Sequence, residues 1–326
     1  MINPDKIFNL KTESEFQSQA LEIFRYQSQN IPVYKNFIYH LKIKPDEIRE
    51  LKNIPFLPAE LFKSHEIIPW NKKPEIIFKS SSTSGDIPSR HFLADISIYE
   101  NSFLRGFQYF YGNPFNMCIL ALLPSYLERT GSSLIYMAEK LIQLSRHPES
   151  GIYLNEDKKL ISVLQKLKKT RQPALLLGVS FALMDLAEKY EEDLDGIIVM
   201  ETGGMKGRRK EIVREDLHTF LKKRFNLSKI HSEYGMTELL SQAYSKGEGV
   251  FYSVPWMRVL LRDSYDPFQL MTSGQSGSIN VIDLANIYSC SFIATSDIGR
   301  LHKNGSFEVL GRIDNSDIRG CNLMIG

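Results

Sequence analysis

Between residues 95 and 224 the chain alternates short, wholly apolar runs with longer segments of helical periodicity. This alternation constrains the fold more than any other feature of the sequence. The periodicity predicts helices over 95–111, 131–145, 157–169, 180–190 and 208–224. The apolar runs 117–123, 174–178 and 196–200 read as strands between them. Strands that alternate with helices imply βαβ units and mostly parallel sheets flanked by helices. After Phe251 the pattern changes to short strands with turn signals, at 256–262, 268–272, 277–283 and 288–294. That part reads as a small β-barrel-like subdomain spanning about 251–310. At the other end, residues 11–30 form a helical pattern, with Thr12 and Glu15 spaced as a capping box.

Two segments carry chemistry. The run Ile76-Ile77-Phe78 leads into Lys79-Ser-Ser-Ser-Thr-Ser-Gly85. A strand that opens into small hydroxyl residues and glycine suits phosphate, because backbone N–H groups converge on the anion and hydroxyls add donors or reach Mg²⁺. No Walker A pattern is present. A solvated Ser-rich loop would look the same in isolation. The second segment is His231-Ser-Glu-Tyr-Gly-Met-Thr-Glu238. Tyr234 offers a flat ring for a nucleobase, Gly235 allows close approach, Thr237 has a hydroxyl and Glu238 a hard oxygen for Mg²⁺. The plain alternative for Thr237 and Glu238 is the first turn of a helix.

Tyr234-Gly-Met-Thr-Glu238 resembles the adenine- and Mg²⁺-binding motif of the adenylate-forming superfamily, and Ser80–Gly85 resembles its phosphate loop. Thr295-Ser-Asp297 is similar to the motif whose aspartate holds the ribose hydroxyls. Gly311-Arg312-Ile-Asp314 through Gly320 is similar to its hinge motif. Asp86-Ile-Pro-Ser-Arg90-His91, Tyr234–Gln242 and Arg319-Gly-Cys321 resemble, within that superfamily, the acyl-protein synthetases, represented by the fatty-acid (luciferin-component) ligase of bacterial bioluminescence. The resemblance covers roughly Phe56 to Met324. It implies the N-terminal domain of an adenylate-forming enzyme over 1–312 and a hinge-like tail over 313–326, with the C-terminal swinging domain absent or vestigial. It further implies ATP and Mg²⁺, acyl-AMP made from a carboxylic, chiefly fatty, acid, and acyl transfer to a thiol.

The roles the resemblance implies can be placed residue by residue. Ser81, Ser82, Thr83, Ser84 and Gly85 serve the phosphates. Tyr234, Gly235, Thr237, Gly203 and Gly204 surround the base and the acyl channel. Asp297 and Arg312 take the ribose side, and Glu238 and Thr83 hold the metal. Arg90 and His91 stand beside the reacting groups, and Cys321 accepts the acyl group. The sequence departs from the superfamily in three places. Ser82 stands where glycine is usual, Pro88-Ser89-Arg90 replaces the loop lysine, and Arg319 replaces the hinge lysine. The acceptor is either Cys321 or a thiol on CoA, a carrier protein or a partner such as a reductase. A non-catalytic adenylate-binding subunit is the remaining alternative.

Composition narrows the field. The net charge of +2 gives no argument for nucleic acid. The apolar runs are too short to span a bilayer, and the N-terminus is polar, so cytoplasmic residence is expected. The three cysteines form no CxxC pair. Cys118 and Cys290 lie in strand-like apolar runs and read as core; Cys321 lies in a polar context beside Arg319, which favours a thiolate. The run Lys206-Gly-Arg-Arg-Lys210 reads as a solvated helix start or a cationic rim.

Overall fold

The computed structural model describes residues 2–81, 87–124, 131–204 and 212–312. The first long helix, Glu13–Asn30, starts where its cap dictates. The Thr12 hydroxyl accepts the Glu15 N–H, and the Glu15 carboxylate accepts the Thr12 N–H at 2.9 Å. Phe16, Ala20, Ile23 and Phe24 share one face and are buried. Gln27, on the same face, binds the far end of the chain. Its amide nitrogen donates to Asn286 O and Ile287 O, and its amide oxygen accepts the Ser291 N–H.

The strands are β1 (Leu57–Pro58), β2 (Ile76–Lys79), β3 (Arg90–Leu93), β4 (Cys118–Leu122), β5 (Gly151–Ile152), β6 (Ala174–Val179) and β7 (Ile198–Thr202). They continue with β8 (His231–Tyr234), β9 (Ala243–Ser245), β10 (Val250–Ser253), β11 (Met257–Arg262), β12 (Ser276–Asp283), β13 (Phe292–Leu301) and β14 (Phe307–Arg312). Five of them, in the order β8-β7-β6-β4-β5, pair in parallel. Every residue of β4 and β6 is buried, as expected of strands covered on both faces. The crossovers run through helices Ser133–Ser145, Asp157–Lys169, Ser180–Lys189 and Arg214–Phe225.

At β8 the direction reverses. Residues 235–242 connect β8 to β9, and this link is shorter than the dozen or so residues a parallel crossover needs, so β9 pairs antiparallel. The sheet continues antiparallel through β10, β14, β13, β12 and β11, with β1 added in parallel to β13. The expected parallel sheet is thus one half of a single mixed sheet, and the expected β-rich part is hydrogen-bonded to it through β9 and β10. The hairpin β2–β3 stands apart.

Three boundaries differ from expectation. Residues 268–272 form no strand and make only the bridge Arg262–Leu270, because Asp263 and Asp266 side chains accept backbone N–H groups and turn the chain there. The strand expected at 288–294 begins at Phe292, since Ser291 N–H is held by Gln27 instead of a ladder. The basic helix begins at Arg214; Val213 is extended, and Arg214 is drawn onto Glu201 and the Val309 carbonyl. Among the described residues no helix is long and apolar enough to cross a membrane.

Gly299 lies where the β13–β14 register shifts. A Cβ there would meet the Glu308 carbonyl oxygen at 2.6 Å and Ile279 Cδ1 at 2.8 Å. Gly299→Ala is expected to cost about 2 kcal/mol through this overpacking, read as a lower urea midpoint with an unchanged slope.

Candidate active site

The phosphate-type loop sits on the β2–β3 hairpin, where Lys79 is the cross-strand partner of Arg90. Two bonds close its base. Ser80 N–H donates to Ser89 O at 3.0 Å, and Ser89 N–H donates to Ser80 Oγ at 2.8 Å. A third anchor runs from Lys79 N–H to Gly131 O at 2.7 Å. Ser81 is exposed at the near end of the loop. Ser82, Thr83, Ser84 and Gly85 lie outside the described residues. The Arg90 guanidinium lies 5.3 Å from the Phe92 ring centre.

The second motif leaves the carboxyl end of β8. Its alternation sends Tyr234 toward β13 and β14. The Tyr234 hydroxyl donates to Asp297 Oδ2 at 2.8 Å, and its ring packs edge-on against Phe251 and Phe307. Burial, and then the Asp297 charge, push the phenol well above its ordinary range. Asp297 and Arg312 are cross-strand partners, with Arg312 Nε 3.4 Å from Asp297 Oδ1. Thr295 steadies the aspartate from beneath: its hydroxyl accepts the Asp297 N–H and donates to Ile279 O. No helix starts at Thr237; Thr237 and Glu238 form a turn.

Glu238 is 6% exposed. Burial raises its carboxyl pKa, and the Ser89 hydroxyl bond and the Arg312 charge offset part of the rise. Ser89 therefore bears on both motifs: its backbone closes the loop, and its side chain is among the groups that hold the Glu238 carboxyl down. Pieces of four distant sequence motifs, at residues 89, 234–238, 295–297 and 311–312, meet at one corner beyond the carboxyl end of β8, the kind of place where open α/β sheets bind ligands.

The neighbouring strand β7 ends in the same region, with Thr202 opposite Glu233. The Thr202 hydroxyl donates to the Glu233 carboxylate. Gly235 leaves room for the Glu233 carboxylate: a Cβ there would lie 2.4 Å from Glu233 Oε1, which would have to shift. Gly203 has φ +67° and its carbonyl accepts the Ser180 hydroxyl at 3.1 Å; Gly204 follows, half-buried.

Sequence reasoning missed the groups that hold this corner in place. Buried Asp283 accepts N–H groups from Leu240, Ser241 and Ala285 and the Ser241 hydroxyl. Asn286 donates to the Glu238 carbonyl at 2.9 Å. Glu201, 2% exposed, meets Arg214 Nε at 3.1 Å, His218 Nε2 at 3.5 Å and the Ser180 hydroxyl at 3.1 Å. Burial would raise the Glu201 pKa, but His218, Arg214 and Ser232 outweigh it and hold the carboxyl below its usual range. The available signal was a carboxylate placed at the end of an apolar run, which is costly unless paired.

His91 and His231 are both buried. His91 Nδ1 lies 2.8 Å from Thr237 O and its ring stands edge-on to Phe62; His231 Nδ1 lies 3.1 Å from the Tyr111 hydroxyl. Cys118 and Cys290 are buried, and burial pushes the Cys290 thiol up to about 12. Cys321 and the hinge residues Asp314, Asp317 and Arg319 lie outside the described residues, as does Lys206–Lys210.

The sequence model of a family described as acyl-protein synthetase, LuxE, matches residues 5–326. No curated protein matches the sequence at a significant level. Among solved structures the fold is similar to that of an open 2-hydroxyisobutyryl-CoA ligase in complex with 2-HIB-AMP and CoA. The TM-score is 0.67 at 14% identity, over 93% of this chain and 70% of that one. The same ligase in the thioesterification state gives 0.66 at 13% identity, over 95% and 71%. ATP-bound MatB from Rhodopseudomonas palustris gives 0.55 at 17% identity, over 72% and 47%. The chain thus spans about half the length of MatB. The shared feature is the adenylate-forming-enzyme fold, a mixed α/β sheet flanked by helices.

Burial lowers both His91 and His231 from the ordinary 6.5 to about 4, with Lys229 and Lys246 adding to the effect at His231. Between those values the unfolded chain binds more protons than the folded one. Stability is therefore expected to fall as the pH drops from 6.5 to 4. His91→Gln should lessen that slope by up to about 1.4 kcal/mol per pH unit, measured as urea midpoints across the window.

Proposed function

This chain belongs to the acyl-protein synthetase, LuxE, family, and we propose that it uses ATP to convert a carboxylic acid to its acyl-AMP and passes the acyl group to a thiol. The observation that carries this reading is the corner where Glu238, Ser89, Tyr234, Asp297 and Arg312 converge. We read residues 1–312 as the ATP- and acid-binding body and 313–326 as a hinge-like tail.

In the first step a carboxylate oxygen attacks the α-phosphorus of ATP and pyrophosphate leaves. The N–H groups and hydroxyls of the Ser81–Gly85 loop, Thr83 included, meet the phosphates, with Arg90 the nearby cation. Asp297 accepts from the ribose hydroxyls. Its place supports this, because Arg312 and the Tyr234 hydroxyl fix both of its oxygens. Tyr234 and Gly235, with Thr237, border the base, and Gly203 and Gly204 border the acid. The Glu238 carboxylate suits Mg²⁺: it is a hard oxygen whose buried charge a cation would stabilise. When bound with the help of Glu238 and Thr83, Mg²⁺ neutralises charge on the phosphate oxygens. His91, bonded to the Thr237 carbonyl, acts on the turn that carries Glu238.

In the second step a thiolate sulfur attacks the acyl carbon and AMP leaves with the bonding pair. A CoA or carrier-protein thiol is the acceptor that the likeness to the CoA-bound 2-hydroxyisobutyryl-CoA ligase supports. Cys321, or a cysteine of a partner protein, is the acceptor that the family description supports.

Pyrophosphate release with Mg²⁺-ATP and a panel of fatty, hydroxy and aromatic acids tests the first step. Glu238→Gln is expected to slow it on the order of 100-fold. ATP binding without release with any acid would identify a non-catalytic adenylate-binding subunit. Intact mass of the protein beside Cys321→Ser, with and without CoA, separates the acceptors. An acyl adduct lost in the variant assigns Cys321, whereas acyl-CoA formed equally by both proteins assigns CoA.

A further inference from the structure

A small cavity is lined by His91 and Asp95, by Leu240, and by Asn286, Tyr288 and Ser289; His91 and Asn286 also bond the carbonyls of the Thr237–Glu238 turn. Three of these side chains are more than nine-tenths buried and each has a polar atom without a hydrogen-bond partner among the described residues: His91 Nε2, Asn286 Oδ1 and Ser289 Oγ. Buried polar atoms are seldom left unpaired, because each costs about 1–3 kcal/mol. The three residues that carry them line this one cavity.

The chemistry of the occupant follows from the bonds already made. His91 Nδ1 faces a carbonyl oxygen at 2.8 Å, so Nδ1 carries the hydrogen and Nε2 presents a lone pair. Asn286 donates its NH₂ to the Glu238 carbonyl at 2.9 Å, so its free atom is an acceptor oxygen. Ser289 can donate or accept. Asp95 is engaged as the cap of helix Ile96–Tyr111, accepting from the Ser97 N–H and hydroxyl. The cavity has room for one water-sized guest.

We propose that this cavity binds one small hydrogen-bond donor, water or ammonium, shared by His91, Asn286 and Ser289, and that these three are positioning residues for the turn that carries Glu238. His91 and Asn286 each hold a carbonyl of that turn with one end and the guest with the other. The guest makes the two clamps a single unit, so the turn keeps one geometry before nucleotide arrives.

The test is long-range ¹H–¹⁵N spectroscopy of the histidine rings in the full chain, with His91 assigned by its loss in His91→Gln. The expected result is the Nδ1–H tautomer with Nε2 at the position of a bonded acceptor. Ser289→Val, which places two methyl groups in the cavity, should move Nε2 to the unbonded position and weaken ATP affinity about tenfold, as loss of an outer-shell partner does. Ser289→Ala, a smaller change, should shift Nε2 in the same direction and serves if the valine variant does not fold. An Nε2 shift that depends on ammonium chloride at constant ionic strength identifies ammonium; a shift that ignores it identifies water. The Nε2–H tautomer in the wild type, or an Nε2 position unmoved by both variants, overturns the proposal. Failure of the wild type to bind ATP counts against the proposed function, and the ring spectra still decide the cavity.

Discussion

The reversal of strand direction between β8 and β9 is the constraint on which the rest of this architecture depends. Had β8 crossed over to another parallel strand, the chain after Tyr234 would have left the corner through a helix. The short link 235–242 instead keeps it at the carboxyl edge of the sheet. There it turns twice, carries Glu238 at its first turn and returns as β9. That return makes an antiparallel sheet possible beside the parallel one. The pairing of β10 with β14 and of β14 with β13 then sets Asp297 and Arg312 beside Tyr234 at the end of β8.

Such a corner must hold several carboxylates in low-dielectric surroundings, and the structure meets that cost with donors. Asp283 receives four hydrogen bonds, three from backbone N–H groups of the segments it clamps. Burial still raises its pKa, yet each bond favours the charged form. Glu201 is held by a cation, an imidazole and hydroxyls, and through Arg214 it links β7, helix Arg214–Phe225 and β14. Removing one partner from such a group strands the other, which is why these contacts define geometry more sharply than the apolar core can. Trp256 shows the same logic, with its indole N–H donating to both Ser102 and Ser241.

The corner also divides its labour by charge. Arg312 stands on the Asp297 side, half out of the protein, while Glu238 lies buried behind it. A cationic side chain and a desolvated carboxylate on adjoining elements are the pair that the proposed reaction would use on a nucleotide and its metal. Ser89, whose N–H closes the base of the Ser-rich loop on Ser80, also favours the charged form of Glu238.

Local chemistry decided what could be read directly from the sequence. The Thr12–Glu15 cap, the apolar strands β4 and β6 and the crossover helices are written in neighbouring residues, because propensity, capping and periodicity act over one or two turns. The four motifs were legible for the same reason, as short strings with specific residue types, and their order along the chain matched one known architecture. Tertiary structure alone decided which side chains meet. Gln27 and Ser291, His91 and Thr237, and Asp283 and Ser241 pair across long stretches of chain, and no local pattern encodes such a pairing. A polar residue in an apolar run announces only that it needs a partner; the packing of distant elements supplies that partner, because burial makes every unpaired charge or hydrogen-bonding group expensive.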